Sequence, residues 1–286
     1  MNSKLGYFIK EEGLLEEVSA EHVRLIMVIG GSDTGKTTLV EGLADFLSGS
    51  FPTGVADLDM GQSHIGPPAT LAWGKVAGGF KRWHDIEIED FYFTGAVSPP
   101  GNLLPALAGA KHIVEAAARK CGKLVIDTTG LIAEPVGRVL KEYKIELLAP
   151  DLILALQRAD ELEGILGHLR FRKRPVVKRL AVPKEVILKS AALRSDYRGL
   201  KFKEYFSGSR TVEVSEANTG IRFTREAAGA DLAGRIVSFR DGDNRDLALG
   251  IIERAIDAEG WYLVRTPLYE GARFTTLVIG TAFSAM

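Results

Sequence analysis

The octapeptide Gly30-Gly31-Ser32-Asp33-Thr34-Gly35-Lys36-Thr37 constrains this chain more than any other stretch. It fits GxxxxGK[ST], follows the apolar run VRLIMVI (23–29) and precedes the helix-forming TTLVEGLADFL. A glycine-rich turn between a buried strand and a helix start lets backbone N–H groups curl round a phosphate chain, and the helix dipole adds positive potential. In that setting Gly30 to Thr38 cradle the phosphates, Lys36 reaches the outer ones, and the Thr37 hydroxyl is placed to ligate Mg²⁺. The pattern predicts a bound nucleotide, while the fate of its terminal phosphate depends on acids elsewhere in the chain.

The rest of the first two thirds repeats the same rhythm. Strand-like TGVADLD, KLVID and DLILALQ alternate with helical NLLPALAGAKHIVEAAARK, EPVGRVLKEY and ELEGILGHL. Strands separated by helices form parallel sheets covered on both faces, so the expected class is α/β, a P-loop NTPase fold with a mostly parallel sheet flanked by helices. The expected boundaries are a lead segment over 1–22, a kinase-sized domain over 23–208, and a small β-rich domain over 209–286, where short β-type runs are split by Gly, Asp and Asn. The 286 residues carry 36 basic and 37 acidic side chains and a single cysteine, Cys121, which excludes an internal disulfide and a cysteine-rich zinc site. No apolar run approaches the roughly 18 residues of a membrane span, and acids interrupt MNSKLGYFIKEEGLLEEV where a signal peptide needs its apolar stretch. The expectation is a soluble, cytoplasmic protein with a buried thiol and no membrane contact.

Two strand ends bring acids to the sheet edge where nucleotides bind: Asp57 and Asp59 in VADLD, and Asp127 in KLVIDTTG. Asp127 has the form of a Walker B acid, and DTTG also fits the DxxG of switch GTPases. Asp57 and Asp59 are two apart, so an extended strand turns both to the same side. In phosphoryl transfer one carboxylate helps hold Mg²⁺ while another accepts the proton of the attacking hydroxyl. Thr37, Asp59 and Asp127 are the candidate metal ligands. A GTPase remains an alternative, because Gln157-Arg158-Ala159-Asp160 ends a strand where a guanine reader stands, although its first two residues depart from Asn/Thr-Lys-x-Asp.

Charge is uneven along the chain: Arg170 to Phe206 holds twelve Lys/Arg against three Asp/Glu. Such a cluster points to an anionic partner. If 190–206 is helical, Arg194, Arg198 and Lys201 line one face and can close over a triphosphate, where the planar guanidinium fork suits phosphate oxygens. The preceding cations, Arg172 and Arg174 among them, are expected to track a nucleic-acid backbone, with the whole of about 170–206 acting as a basic lid region.

In order, GGSDTGKTT, DLDMGQ, FYFTGAVSPPGNLLP (91–105), DTTG, QRADELE and RSDYRGLKFKEYFSG (194–208) resemble the P-loop polynucleotide 5′-hydroxyl kinase family, whose members phosphorylate RNA or DNA 5′ ends. The resemblance implies ATP as donor, Mg²⁺ as cofactor, and RNA or DNA with a 5′-hydroxyl end as acceptor. It implies that Lys36, Asp59, Arg194 and Arg198 are catalytic, and that Asp57, Gln62, Thr129 and Gly130 face the substrate end. Leu131 stands where many members carry a base-stacking Trp. Only 22 residues precede the first strand, so partner binding by the larger eukaryotic members' N-terminal domain does not carry over. A protein partner for the C-terminal domain is left unassigned. The rival reading is an ATP-binding adaptor that has lost transfer activity.

Overall fold

The computed structural model describes residues 5–8, 13–225, 231–256 and 260–284. Helix α1 (Leu14–Ser19) leads into β1 (Leu25–Gly30), and the glycine-rich turn delivers the chain to α2 (Lys36–Ser48). Then follow β2 (Thr53–Leu58), β3 (Thr70–Val76), β4 (Ile88–Phe93), α3 (Leu103–Ala118), β5 (Lys123–Thr128) and α4 (Val136–Leu148). The first unit ends with β6 (Leu152–Gln157), α5 (Glu163–Leu166), β7 (Val176–Ala181) and α6 (Ala191–Tyr205).

These strands form one seven-stranded sheet in the order β4-β3-β2-β5-β1-β6-β7. The β2, β5, β1, β6 and β7 neighbours pair in parallel, and β3 and β4 extend one edge antiparallel. Alternate residues of the central strands bury into opposite layers, as the two-residue strand period requires. Met27, Ile29, Ile126 and Ile153 pack under α3 and α4, whereas Ile26, Val28, Val125 and Leu154 pack under α1 and α2. With both faces covered, the carboxyl ends of β1, β2, β5 and β6 are left as the open edge.

The remaining strands make a C-terminal unit. Strands β8 (Arg210–Ser215), β9 (Gly220–Phe223), β10 (Arg235–Arg240), β11 (Asp246–Ile256), β12 (Trp261–Thr266) and β13 (Thr276–Phe283) form a second sheet, ordered β8-β12-β11-β10-β13-β9. One face of it shares a core with the first unit through Phe93, Phe202, Phe206, Leu249, Ile251 and Val278. A fully buried ion pair reinforces the join: Arg240 Nε lies 2.8 Å from Asp246 Oδ1, and Asp246 Oδ2 accepts the Phe93 amide at 3.0 Å. Among the described residues, no helix is long and apolar enough to cross a membrane.

The basic stretch is not one lid. Its middle is β7, a member of the parallel sheet, and only α6 arches over the open edge. Arg174 therefore lies at the amino edge of the sheet, where its guanidinium meets Asp151, the residue before β6, at 2.9 Å. Arg172 is exposed in the turn that leads there. The charge run revealed basicity but not direction, and a parallel β7 must start at the edge remote from the phosphate loop.

Candidate active site

The glycine-rich turn has the backbone its sequence demands. Asp33 (φ 53°) and Gly35 (φ 86°) are left-handed. A Cβ on Gly35 would also stand 3.2 Å from the Phe8 ring and 3.3 Å from Val186, so that glycine serves both conformation and space. Lys36 is folded inward, and its Nζ donates to the Gly31 carbonyl at 2.6 Å. Burial lowers its pKa, opposed by the charges of Asp127, Asp59 and Asp33. The Thr37 hydroxyl donates to Asp127 Oδ2 at 3.0 Å, bringing together the two oxygen groups expected at a metal.

The three acids divide into different environments. Asp57 is wholly buried, and its carboxylate accepts the backbone N–H of Asp59 at 3.0 Å and the N–H groups of His64 and Ile65. Burial raises its pKa to about 7, with the nearby Asp127 charge adding to the rise. Asp57 thus ties down the 59–65 loop and is enclosed, whereas the two-residue spacing sets it beside Asp59 on one open side. β2 stops at Leu58, so Asp59 lies beyond the strand whose alternation the spacing relies on. Asp127 is also buried, which pushes it up to about 6 against the pull of Lys36. Asp59 accepts the N–H groups of Gly61 and Gln62 through Oδ1, at 3.0 and 3.1 Å, and lines the open edge.

Sequence reasoning missed two cations behind these acids. Lys141 and Lys144, on α4, are completely enclosed. Lys141 Nζ donates to the Thr128 hydroxyl at 2.8 Å and the Thr129 carbonyl at 2.5 Å, and Lys144 Nζ donates to the Leu58 carbonyl at 3.3 Å. Burial drives Lys141 far below the ordinary lysine range and Lys144 to about 8, while the carboxylates pull both upward. The signal was present: both lysines share a helical stripe with Gly137, Leu140, Ile145 and Leu148, which are buried.

Helix α6 forms the roof. The Ser190 side chain caps it by accepting the Leu193 N–H. Arg194 Nη2 meets Asp33 Oδ2 at 2.6 Å, and the Lys189 N–H donates to the same oxygen. On the other side, Gln62 Nε2 donates to the Arg194 carbonyl at 3.3 Å, Tyr197 Oη to the Ser63 carbonyl at 3.1 Å, and Lys201 to the His64 carbonyl. Below the roof the His64 ring lies 5.1 Å from Trp83 and 6.0 Å from Tyr197, and burial pushes it down to about 4.

Two cavities flank the phosphate loop. One, about 400 Å³, lies beside Gly35 and Thr38 between Tyr7 and Phe8 on one wall and Pro183, Val186 and Ile187 on the other. Its volume and apolar walls suit a nucleoside. None of Gln157 to Asp160 lines it; instead Arg158 donates to the Asp33 carbonyl at 2.6 Å and so braces the phosphate loop. The second cavity, about 410 Å³, is bordered by Asp59, Gln62, Ser98, Thr129, Leu131 and Arg198. Gly130 abuts the phosphate loop so closely that a Cβ would stand 2.7 Å from the Ser32 backbone. A narrow space lined by Ser32, Lys36, Thr37, Asp59, Asp127 and Arg194 joins the two sides. In order lie the pocket that suits a nucleoside, the phosphate loop, the Asp59 carboxylate and the second pocket, an order compatible with group transfer.

The family model for the mRNA cleavage and polyadenylation factor CLP1 P-loop matches residues 30–208. The chain is 37% identical over 219 residues to polyribonucleotide 5′-hydroxyl-kinase PH0197 of Pyrococcus horikoshii, covering 74% of this chain and 59% of that protein. It is 35% identical over 190 residues to polyribonucleotide 5′-hydroxyl-kinase MJ1315 of Methanocaldococcus jannaschii, covering 66% of this chain and 52% of that protein. The chain therefore spans only somewhat more than half the length of these curated relatives. Among solved structures, a chain of the Clp1p–Pcf11p complex superposes with a TM-score of 0.70 over 94% of this chain and 77% of its own, at 13% identity, a likeness of fold.

Proposed function

The chain belongs to the CLP1 P-loop family, and from that premise we propose that it is an ATP-dependent polynucleotide 5′-hydroxyl kinase acting on RNA or DNA ends. The single observation that carries this reading is the position of Asp59, which borders both the phosphate cradle and the acceptor pocket. A carboxylate there can accept the proton of a 5′-hydroxyl as its oxygen attacks the terminal phosphorus, while the bond from that phosphorus to the departing ADP breaks. Lys36 exchanges the Gly31 carbonyl, and Arg194 exchanges Asp33, for oxygens of the transferring group. Both cations are thus held near their work by a weaker partner. Arg198, on the wall of the acceptor pocket, adds charge from the other side. Gln62 and Thr129 flank Asp59 and orient the incoming end.

The site also suits Mg²⁺, which takes one or two protein oxygens and completes its shell with phosphate and water. Thr37 and Asp127 supply such oxygens 3.0 Å apart, with Asp59 bordering the same space. Bound there, Mg²⁺ would neutralise negative charge on the phosphate chain.

The test is transfer of labelled terminal phosphate from ATP to 5′-hydroxyl RNA and DNA oligonucleotides in the presence of Mg²⁺. Transfer to either supports the reading. Tight ATP retention with no transfer to any acceptor rejects it in favour of the adaptor.

A further inference from the structure

The C-terminal sheet carries no recognisable motif, yet it packs against the segment that walls the acceptor pocket. The Gly95 carbonyl accepts the N–H groups of Thr281 and Ala282 at 2.7 and 2.9 Å. A Cβ on Gly101 would stand 3.1 Å from Arg225 Nη1. The segment between these two glycines supplies Val97, Ser98 and Pro99 to the pocket wall. The Arg225 guanidinium therefore lies beside Gly101, two residues past the Pro99 end of that wall.

Strand β9 is the outer strand of the second sheet. Its Arg222 is in register with Val278, and paired residues of neighbouring strands project to the same face. Val278 belongs to the core shared by the two units, so Arg222 emerges on the side toward the first unit, where it is exposed. Arg198 lies on the pocket wall, Arg225 beside Gly101 just past that wall, and Arg222 on the strand that leads to Arg225. Among the described residues none of the three has an ion-pair partner, whereas Arg174, Arg179 and Arg194 are all paired. Unneutralised guanidinium groups aligned with a pocket match the repeating negative charge of a phosphodiester chain.

We propose that the β9 edge, through Arg222 and Arg225, binds the sugar-phosphate backbone of the acceptor polynucleotide downstream of its 5′ end, which makes the C-terminal unit part of the nucleic-acid surface. The proposal rests on the kinase reading for which end enters the pocket, but binding itself is measurable without catalysis. Phosphate contacts of this kind are independent of base sequence, so the track serves affinity and not specificity.

The experiment compares the full chain with its Arg222→Ala/Arg225→Ala variant, using fluorescence anisotropy of a labelled 20-nucleotide 5′-hydroxyl RNA over a KCl series. Both side chains are exposed, and equal melting temperatures check that the fold is intact. Each phosphate contact to a single strand contributes about 0.7 to the slope of log K against log salt, so the variant's slope should be shallower by about 1.4. At 0.1 M salt that corresponds to a weakening on the order of tenfold. In the transfer assay the rise in KM should grow with acceptor length, from a nucleoside 3′-monophosphate to the 20-mer. An unchanged slope and affinity overturn the proposal, as does a loss that is the same for both acceptors. If the parent chain transfers no phosphate, the kinase reading fails while the salt-slope comparison still decides for or against the track.

Discussion

Replacing Lys141 by Met isolates what the buried cations do. The side chains have similar length, so the change removes the amine with little alteration of volume. The Thr128 hydroxyl keeps its 2.8 Å bond to the Val28 carbonyl, but the Thr129 carbonyl loses the donor it has at 2.5 Å. An unsatisfied buried acceptor costs about 1–3 kcal/mol. Against this, burial of the amine, which drives its pKa far below the ordinary lysine range, carries a desolvation cost of about 1–3 kcal/mol that Met does not incur. The two terms nearly cancel, so the melting temperature should move by only a few degrees. Activity should not be spared. Thr129 and Gly130 form the wall that presses on Ser32, and a displacement of about 1 Å at such a position costs about 10²-fold. The expected result is a roughly hundredfold fall in kcat/KM for the oligonucleotide, with ATP affinity by calorimetry nearly unchanged. A variant that melts much earlier yet turns over normally would refute the reasoning and leave Lys141 as a purely structural group.

Asp59→Asn should reduce single-turnover transfer by about 10²- to 10⁴-fold while retaining ATP, and near-normal transfer would move the proton acceptor elsewhere. Arg194→Lys should fall nearly as far as Arg194→Ala, about 10³-fold, because an ammonium cannot reproduce the planar fork; rescue by lysine in the transfer assay counts against that role. Asp57 makes a prediction about stability. Its folded pKa of about 7 lies above the ordinary 3.8, so its contribution favours folding below about pH 4 and is lost as pH rises to 7. Denaturant unfolding in EDTA should show the parent chain losing a few kcal/mol relative to Asp57→Asn across that window. His64, depressed to about 4, acts in the opposite direction. A difference that is flat with pH contradicts the assignment.

What was legible in the sequence is what local chemistry dictates. The phosphate loop, its strand and its helix are contiguous, so their spacing alone places Lys36 and Thr37. The parallel order followed from buried apolar runs alternating with helices. Strands β3 and β4 gave no such sign: Thr70–Val76 includes a glycine and a lysine, and they are held as strands by pairing with each other and with β2. Gly74 shows why, since a Cβ there would collide with Ile86 and the Glu87 carbonyl in the segment leading into β4. Lys141 and Lys144 were concealed by residue type, because lysine in an apolar stripe reads as an interruption until the carboxylates behind it are in view. Arg172 and Arg174 were misplaced because a run of charge has no direction until the strand it precedes has one.

The acids show how three similar residues acquire separate tasks. Three carboxylates in one low-dielectric cluster cannot all ionise cheaply, and the rise of Asp57 and Asp127 to about 7 and about 6 expresses that repulsion together with burial. What separates them is where their oxygens are engaged. Both Asp57 oxygens hold the loop after β2. Asp127 engages one oxygen with the Thr128 N–H and the other with the Thr37 hydroxyl, a bond that a metal ion can replace. Asp59 uses Oδ1 for the turn at Gly61 and Gln62, and among the described residues its Oδ2 has no hydrogen-bond partner. Only Asp59 of the three borders both the acceptor cavity and the phosphate cradle. A proton acceptor needs an oxygen that the fold has not already engaged, and the Asp59 carboxylate keeps Oδ2 for it because Asp57 takes the amides of Asp59, His64 and Ile65 and leaves Asp59 those of Gly61 and Gln62. Removing Asp57 should therefore damage transfer through Asp59, by letting the turn that aims it move.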